Sequence, residues 1–156
     1  MSLVIEVPGW RRLVLEHLVL DLNGTLAADG ALAPGVAQAV ERLGGILTCH
    51  LVTADTFGTA ARLFGPTVRL ALIRPGDEAA QKREVVRRLG ALGVAAVGNG
   101  ANDVLMLKEA ALGIAVLGAE GASPRALNAA QVVVREPVEA LELLLKPDRL
   151  RATLRR

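Results

Sequence analysis

The chain contains few aromatic residues and a single cysteine. Of its 156 residues two are Phe, one is Trp and none is Tyr, while 52% are hydrophobic. The core must therefore consist of Val, Leu, Ile and Ala, a composition that suits a β-sheet covered by helices. With Cys49 alone, an internal disulfide and a cysteine-rich metal site are both excluded.

Long apolar runs and a large net charge are also missing. No apolar run approaches the ~20 residues of a membrane span. The first eight residues lack a basic region followed by an apolar core, so we expect no signal peptide and a cytoplasmic protein. The net charge is only +2, and the basic clusters at 82–88 and 149–156 lack interleaved aromatics, so we expect no nucleic-acid partner.

The order of apolar and amphipathic segments predicts one α/β domain, residues 1–156, with a doubly wound, mainly parallel, Rossmann-like sheet. Residues 1–17 are predicted to form an N-terminal β-hairpin extension and residues 147–156 a basic C-terminal tail. The predicted strands after the hairpin are 18–22, 46–53, 68–73, 94–97, 113–117 and 131–134. The predicted helices are 34–43, 57–64, 76–89, 104–110, 124–129 and 138–146.

The stretch Leu-Val-Leu-Asp-Leu-Asn-Gly-Thr-Leu, residues 18–26, organises the rest of the chain. A short apolar run closed by a glycine turn predicts a buried strand that delivers Asp21 to the carboxyl edge of the sheet, where open α/β folds place their chemistry. An aspartate there can attack phosphorus or bind a hard cation. By itself, however, this short motif is more typical of an aspartate that caps the following turn.

Three further elements follow in order: Thr53 at a strand end, Lys82 in the first two turns of a charged helix, and Gly-Asn-Gly-Ala-Asn-Asp at 98–103. Each has a structural alternative. Thr53 can simply end a strand, Lys82 can be a solvated cation, and Asp55 is better explained as a helix cap than as a catalytic group. A dinucleotide-binding loop at Gly98 is disfavoured because the third glycine of that motif is missing.

Together the four elements resemble the haloacid dehalogenase-like superfamily of phosphotransferases, from about residue 18 to residue 134. Residues 98–107 are similar to the hinge motif of phosphoserine phosphatases and P-type ATPases. The resemblance implies that Asp21 attacks phosphorus and forms an aspartyl-phosphate. It also implies a Mg²⁺ ion bound by Asp21, the backbone carbonyl of Asn23, Asn99 and Asp103.

The same resemblance implies a cradle for the phosphoryl group. Thr53 would donate a hydrogen bond to a phosphoryl oxygen, and Lys82 would neutralise its charge. The Asn102 amide and backbone N–H groups of the turn at Gly24 would complete the cradle. The implied catalytic set is therefore Asp21, Asn23, Thr53 and Lys82.

The chain departs from the family at two positions. Asn23 stands where the phosphatases have an aspartate that protonates the leaving group and then activates water, and an amide can do neither. Asn99 stands where a carboxylate usually binds Mg²⁺, so the site loses a negative charge. We therefore expect slow turnover and weakened Mg²⁺ binding.

Neither gap that could hold a cap domain is long enough. Only a short turn and one helix separate Asp21 from the strand that ends at Thr53, and little lies between strand 68–73 and Lys82. An uncapped site is open to water, so we expect shielding by a second copy in a homo-oligomer. The N-terminal hairpin and the basic tail are the surfaces available for this contact.

The sequence thus favours a Mg²⁺-dependent phosphatase or phosphotransferase that acts on a phosphorylated substrate. It resembles an isolated P-type ATPase phosphorylation domain, although the absence of a membrane segment argues against ion pumping. Two alternatives stay open. The protein can be a phospho-acceptor or binding module with little catalysis, or a structural α/β protein with a vestigial motif.

Overall fold

Strands and helices alternate in the computed structural model, which describes residues 1–54 and 58–156. The strands are β1 Leu3–Val7, β2 Arg11–Leu15, β3 His17–Asp21, β4 Ala27–Ala28, β5 Ala31–Leu32, β6 Thr48–Thr53, β7 Val68–Leu72, β8 Val94–Gly98, β9 Leu112–Val116 and β10 Val132–Val134. The helices are α1 Val36–Gly44, α2 Thr59–Phe64, α3 Glu78–Leu89, α4 Val104–Glu109, α5 Pro124–Ala129, α6 Pro137–Leu145 and α7 Pro147–Leu154. Short 3₁₀ turns lie at Gly65–Thr67, Ala91–Gly93 and Ala101–Asp103.

The central sheet has six parallel strands in the order β10-β9-β8-β3-β6-β7. The predicted Rossmann-like sheet is confirmed, as is the N-terminal hairpin, in which β1 and β2 pair antiparallel. Parallel strands present their carboxyl ends at one edge. The residues that end β3, β6 and β8 therefore meet there.

The two faces of the sheet carry separate cores, and β3 contributes to both. Leu18 and Leu20 pack with the hairpin, α1 and α6, whereas Val19 packs with residues of α3, α4 and α5. Because side chains alternate along a strand, Asp21 points to the same face as Val19. The alternation of side chains along β3 therefore places the Asp21 side chain on the sheet face that helix α3 covers.

Within residues 147–156, predicted as a basic C-terminal tail, Pro147–Leu154 form helix α7. Pro147 at its first position and Asp148 in its first turn suit a helix start, and Leu150 is fully buried. The Arg156 N–H donates to the Pro8 carbonyl at 2.9 Å. The C-terminus therefore packs against the N-terminal hairpin instead of extending into solvent.

Helix α2 begins at Thr59. The predicted helix start at residue 57 and the predicted helix cap Asp55 lie outside the described residues. Between Asp21 and strand β6 the chain forms only the hairpin β4–β5 and helix α1. Within residues 1–54 and 58–156 no folded insertion covers the carboxyl edge of β3, which confirms the prediction of a capless fold.

None of the helices in the described ranges is both long and apolar enough to cross a bilayer.

The two histidines of the chain, His17 and His50, lie side by side on strands β3 and β6. His17 Nδ1 lies 3.1 Å from His50 Nε2, so one ring donates to the other. Burial, followed by the charges of His17 and Arg69, lowers the pKa of His50 from 6.5 to about 4.

This pair predicts acid destabilisation. The unfolded chain protonates His50 near pH 6.5, whereas the folded chain does so only near pH 4. The contribution of His50 to the free energy of unfolding should therefore fall as the pH drops through this window, by about 2–3 kcal/mol. Urea unfolding between pH 4 and pH 8 measures the slope for wild type and for His50→Gln, and the difference between the two slopes gives the contribution of His50, because the other titrating groups are present in both. An identical slope in wild type and variant would contradict this origin of the pH dependence.

Candidate active site

Asp21 is the last residue of β3, the strand between β8 and β6 in the middle of the sheet. Its side chain is buried and both carboxylate oxygens are engaged. Oδ1 accepts from Lys82 Nζ at 3.0 Å, and Oδ2 accepts from Thr25 Oγ1 at 2.9 Å. These bonds hold the carboxylate in one orientation at the carboxyl edge of the sheet.

Lys82 lies in the second turn of α3, on the face that packs against the sheet. Its side chain is only 3% exposed, and Nζ also donates to Asp103 Oδ1 at 2.8 Å. Lys82 is therefore a buried ammonium between two carboxylates, and not the solvated cation that a basic helix alone would suggest.

Asp103 is fully buried, behind Lys82. Its Oδ2 accepts from the backbone N–H groups of Asn99 and Gly100, each at 2.9 Å. Gly98 leaves space for this carboxyl group, since a Cβ there would lie 2.6 Å from Asp103 Cγ. The prediction of Asp103 as a metal ligand stays untested, but in this arrangement it orients Lys82 and folds the 98–103 loop.

The two carboxylates share one ammonium, and burial beside a second carboxylate shifts the titration of Asp21. Burial and then the charge of Asp103 raise the pKa of Asp21 from 3.8 to about 7, against the charge and hydrogen bond of Lys82 and the hydrogen bond of Thr25. Burial lowers the pKa of Lys82, but the charges and hydrogen bonds of Asp21 and Asp103 outweigh it and leave that pKa raised. A further positive charge would therefore stabilise the ionised form of Asp21.

Asn99, just after β8, is linked to the Asp21 carboxylate by the Thr25 hydroxyl, which contacts both residues. The Thr25 hydroxyl lies 2.8 Å from Asn99 Oδ1 as well as 2.9 Å from Asp21 Oδ2. A hydroxyl carries a single hydrogen, so two acceptor oxygens compete for it. Asn99 Nδ2 donates to the Gly121 carbonyl at 3.1 Å, a bond that an aspartate could not make.

Asn23 is exposed and lines the cavity in front of Asp21. Gly24 adopts φ +80°, and a Cβ there would lie 3.0 Å from Asn99 Nδ2, so this position needs glycine. The N–H of Gly24, predicted to help bind phosphate, donates instead to the Ala27 carbonyl at 2.7 Å. The turn uses this donor internally.

A cavity of about 180 Å³ opens in front of Asp21. Thr53, at the end of β6, and Asn102 both line it, and their binding of phosphate stays a prediction. The Asn102 amide donates to Glu78 Oε2 at 3.0 Å. The full lining is Asp21, Asn23, Val52, Thr53, Ala54, Ile73, Glu78, Lys82 and Asn102.

Two residues at the site, Thr25 and Glu78, had no role assigned from the sequence. Thr25 lies four residues after Asp21, within the quoted motif, but only the fold of the turn shows that its hydroxyl contacts Asp21 and Asn99. Glu78 precedes Lys82 by one helical turn, a spacing that places both on one face of α3. That spacing is the signal that could have identified Glu78.

Gly98→Ala tests the packing around the ion pairs. The added methyl group would overlap the Asp103 carboxyl group and displace it from Lys82, so we expect a loss of about 1–3 kcal/mol in the free energy of unfolding. Gly45→Ala is the matched control, because φ is −81° and the nearest heavy atom is 3.5 Å away. Urea unfolding compares the two. Equal stability of both variants would contradict the role of Gly98.

No family model matches the sequence, but two known proteins are similar to parts of it. An uncharacterized protein of Methanocaldococcus jannaschii is 48% identical over 62 residues, which are 40% of this chain and 67% of that protein. A probable copper-transporting ATPase of Synechocystis is 40% identical over 87 residues, 54% of this chain, but the chain spans only 11% of the ATPase.

Solved structures share the fold at low sequence identity. The cobalt-bound deoxy-D-mannose-octulosonate 8-phosphate phosphatase of Haemophilus influenzae superposes with a TM-score of 0.69 at 12% identity, over 85% of this chain and 88% of that one. The Moraxella catarrhalis 3-deoxy-D-manno-octulosonate 8-phosphate phosphatase, solved with magnesium, phosphate and the sugar acid, gives 0.67 at 17% identity, over 89% and 92%. The chain therefore belongs to one family with the Methanocaldococcus jannaschii protein, and its fold is that of the haloacid dehalogenase-like superfamily.

Proposed function

We propose that the protein is a divalent-cation-dependent phosphatase or phosphotransferase that acts through an aspartyl-phosphate at Asp21. The observation that carries this proposal is the buried chain of ion pairs Asp21–Lys82–Asp103 at the mouth of a polar cavity. Two buried carboxylates on one ammonium are costly for stability. Placed at the edge where α/β folds bind ligands, they are better explained by chemistry.

The reaction has two halves. An Asp21 oxygen attacks the phosphorus of a phosphomonoester, and the bond from phosphorus to the leaving oxygen breaks as that oxygen takes a proton. Water then attacks the aspartyl-phosphate, releases phosphate and restores Asp21. Lys82 orients the carboxylate and neutralises charge on the phosphoryl group, while the nearby Thr53 and Asn102 side chains provide polar contacts in the cavity.

The residues present fit a divalent cation of the hard, oxygen-binding class. Asp21 Oδ2 and Asn99 Oδ1 converge on the one hydroxyl of Thr25, and both are oxygen ligands that Mg²⁺ accepts. With the Asn23 carbonyl they would hold the ion, and Mg²⁺ is the predicted choice. When bound, the ion would offset repulsion between the Asp21 carboxylate and the phosphate.

A second candidate function is a phospho-acceptor that hydrolyses its phosphoenzyme slowly. Asn23 favours it, because this residue lines the cavity where the family has a proton-transferring aspartate, and an amide cannot transfer a proton. General acid–base groups contribute about 10²–10⁴-fold to rate. The two functions therefore differ in the lifetime of the aspartyl-phosphate.

The first test measures that lifetime. Labelled acetyl phosphate with MgCl₂ should phosphorylate the wild type, and Asp21→Asn should abolish labelling because it removes the nucleophile. Asp29→Asn is the matched control, since Asp29 is exposed and its φ of 52° is tolerated by asparagine. Asn23→Asp should shorten the lifetime of the label, because a carboxylic acid returns to this position.

Labelling that persists in Asp21→Asn would refute the assigned nucleophile. A wild type that labels and releases phosphate rapidly supports the enzyme, whereas a long-lived label supports the acceptor.

The proposed homo-oligomer and the phosphorylated substrate stay predictions. Light scattering tests the oligomer, and a panel of phosphomonoesters tests the substrate.

A second test addresses the cation. Without metal, Asn99→Asp should lower the melting temperature, because the carboxylate loses the bond to the Gly121 carbonyl and adds charge beside Asp21. With MgCl₂ the variant should gain more stability than the wild type, in line with tighter binding. Asn128→Asp, an exposed position on α5, is the matched control for thermal melts. Equal gains with MgCl₂ in Asn99→Asp and wild type would contradict Asn99 as a ligand position.

A further inference from the structure

We propose that Glu78 is the proton-transferring group of this site and replaces the function that Asn23 cannot perform. The inference rests on the proposed function and goes beyond it by naming a catalytic residue from helix α3. In the first half-reaction the Glu78 carboxylic acid would give its proton to the leaving oxygen. In the second, its carboxylate would take a proton from the attacking water.

Position supports this role. Glu78 is the first residue of α3, one turn before Lys82, and the two side chains line the cavity together with Asp21 and Asn23. Glu78 is half-buried, so its carboxyl group lies at the rim between solvent and the buried ion pairs. The leaving group of a substrate whose phosphoryl group lies at Asp21 would share this cavity with the Glu78 carboxyl group.

The side chain is held toward the cavity. Glu78 Oε2 accepts from Asn102 Nδ2 at 3.0 Å, across the site from its own helix. An acidic residue in a first helical turn commonly serves only the helix dipole. Glu78 lies in the first turn of α3, but its carboxyl group accepts a hydrogen bond from a residue of the 98–103 loop.

The charged groups that face the cavity are Asp21, Lys82 and Glu78, with Asp103 behind Lys82. Lys82 pairs with Asp21 and Asp103, so in this proposal the Glu78 carboxyl group is the one that transfers the proton that the leaving oxygen requires.

The atoms balance in this scheme. The bond from phosphorus to the leaving oxygen breaks as the Glu78 proton is transferred, which gives a free alcohol, an aspartyl-phosphate and the Glu78 carboxylate. Water oxygen then bonds to phosphorus while Glu78 takes one water proton. The bond from phosphorus to Asp21 breaks, and phosphate, Asp21 and protonated Glu78 are restored.

The test compares leaving groups. With MgCl₂, Glu78→Gln should lower kcat/KM for glycerol 2-phosphate by about 10²-fold, because an alkoxide leaves poorly without a proton. The loss with p-nitrophenyl phosphate should be small, because nitrophenolate leaves without help. The descending limb of the pH–rate profile for glycerol 2-phosphate should disappear in the variant. Glutamine keeps an oxygen that can accept from Asn102, so the geometry of the site is preserved.

Controls separate this inference from the proposed function. Glu84→Gln, on the same helix and paired with Arg88 at the surface, should behave as wild type. Acetyl phosphate, which needs no acid, should still label Asp21 in Glu78→Gln, and the label should live longer than in wild type. Adding Asn23→Asp to Glu78→Gln should restore turnover of glycerol 2-phosphate.

The outcomes are distinct. Labelling of wild type together with an unchanged or raised rate in Glu78→Gln overturns the role of Glu78 and leaves the proposed function intact. An equal loss with both phosphomonoesters indicates substrate contact instead of proton transfer and also overturns it. Absence of label in wild type overturns both proposals together.

Discussion

The structure of the site depends on one buried ammonium. Lys82 Nζ lies between Asp21 and Asp103, 3.0 and 2.8 Å from their oxygens, in a region where the side chains of all three are at most 10% exposed. Burying charges is costly, and removing any one partner leaves another uncompensated. Helix α3, strand β3 and the 98–103 loop are therefore bound to a single arrangement.

This constraint explains the small residues around it. At Gly98 the Asp103 carboxyl group occupies the space that a Cβ would need, and a Cβ at Gly24 would lie 3.0 Å from Asn99 Nδ2. The same packing brings Thr25 between Asp21 and Asn99. The loops after β3 and β8 thus form one unit, and a cation or phosphate bound there would act on both.

The two asparagines have different structural consequences. Asn99 uses its amide to hold the Gly121 carbonyl, so the lost charge is accompanied by a gained contact with the loop after β9. Asn23 is exposed at the cavity, and its amide offers no proton chemistry. The carboxyl group of Glu78, which lines the same cavity from α3, is the group to which we assign that chemistry.

The sequence by itself determined the order of strands and helices, the capless sheet and the placing of Asp21, Thr53 and residues 98–103 near one edge. Apolar periodicity and glycine turns are local signals, and parallel strands bring their carboxyl ends together. The folded chain differs from the sequence expectations at two places. Pro147–Leu154 of the predicted tail form helix α7, which packs on the hairpin, and the Gly24 N–H donates within its own turn. Only the tertiary structure decided that Lys82 joins two carboxylates, that His17 meets His50, and that Glu78 reaches Asn102. These contacts join residues from 21 to 61 positions apart, and no local pattern specifies which side chains meet when a helix docks on a sheet.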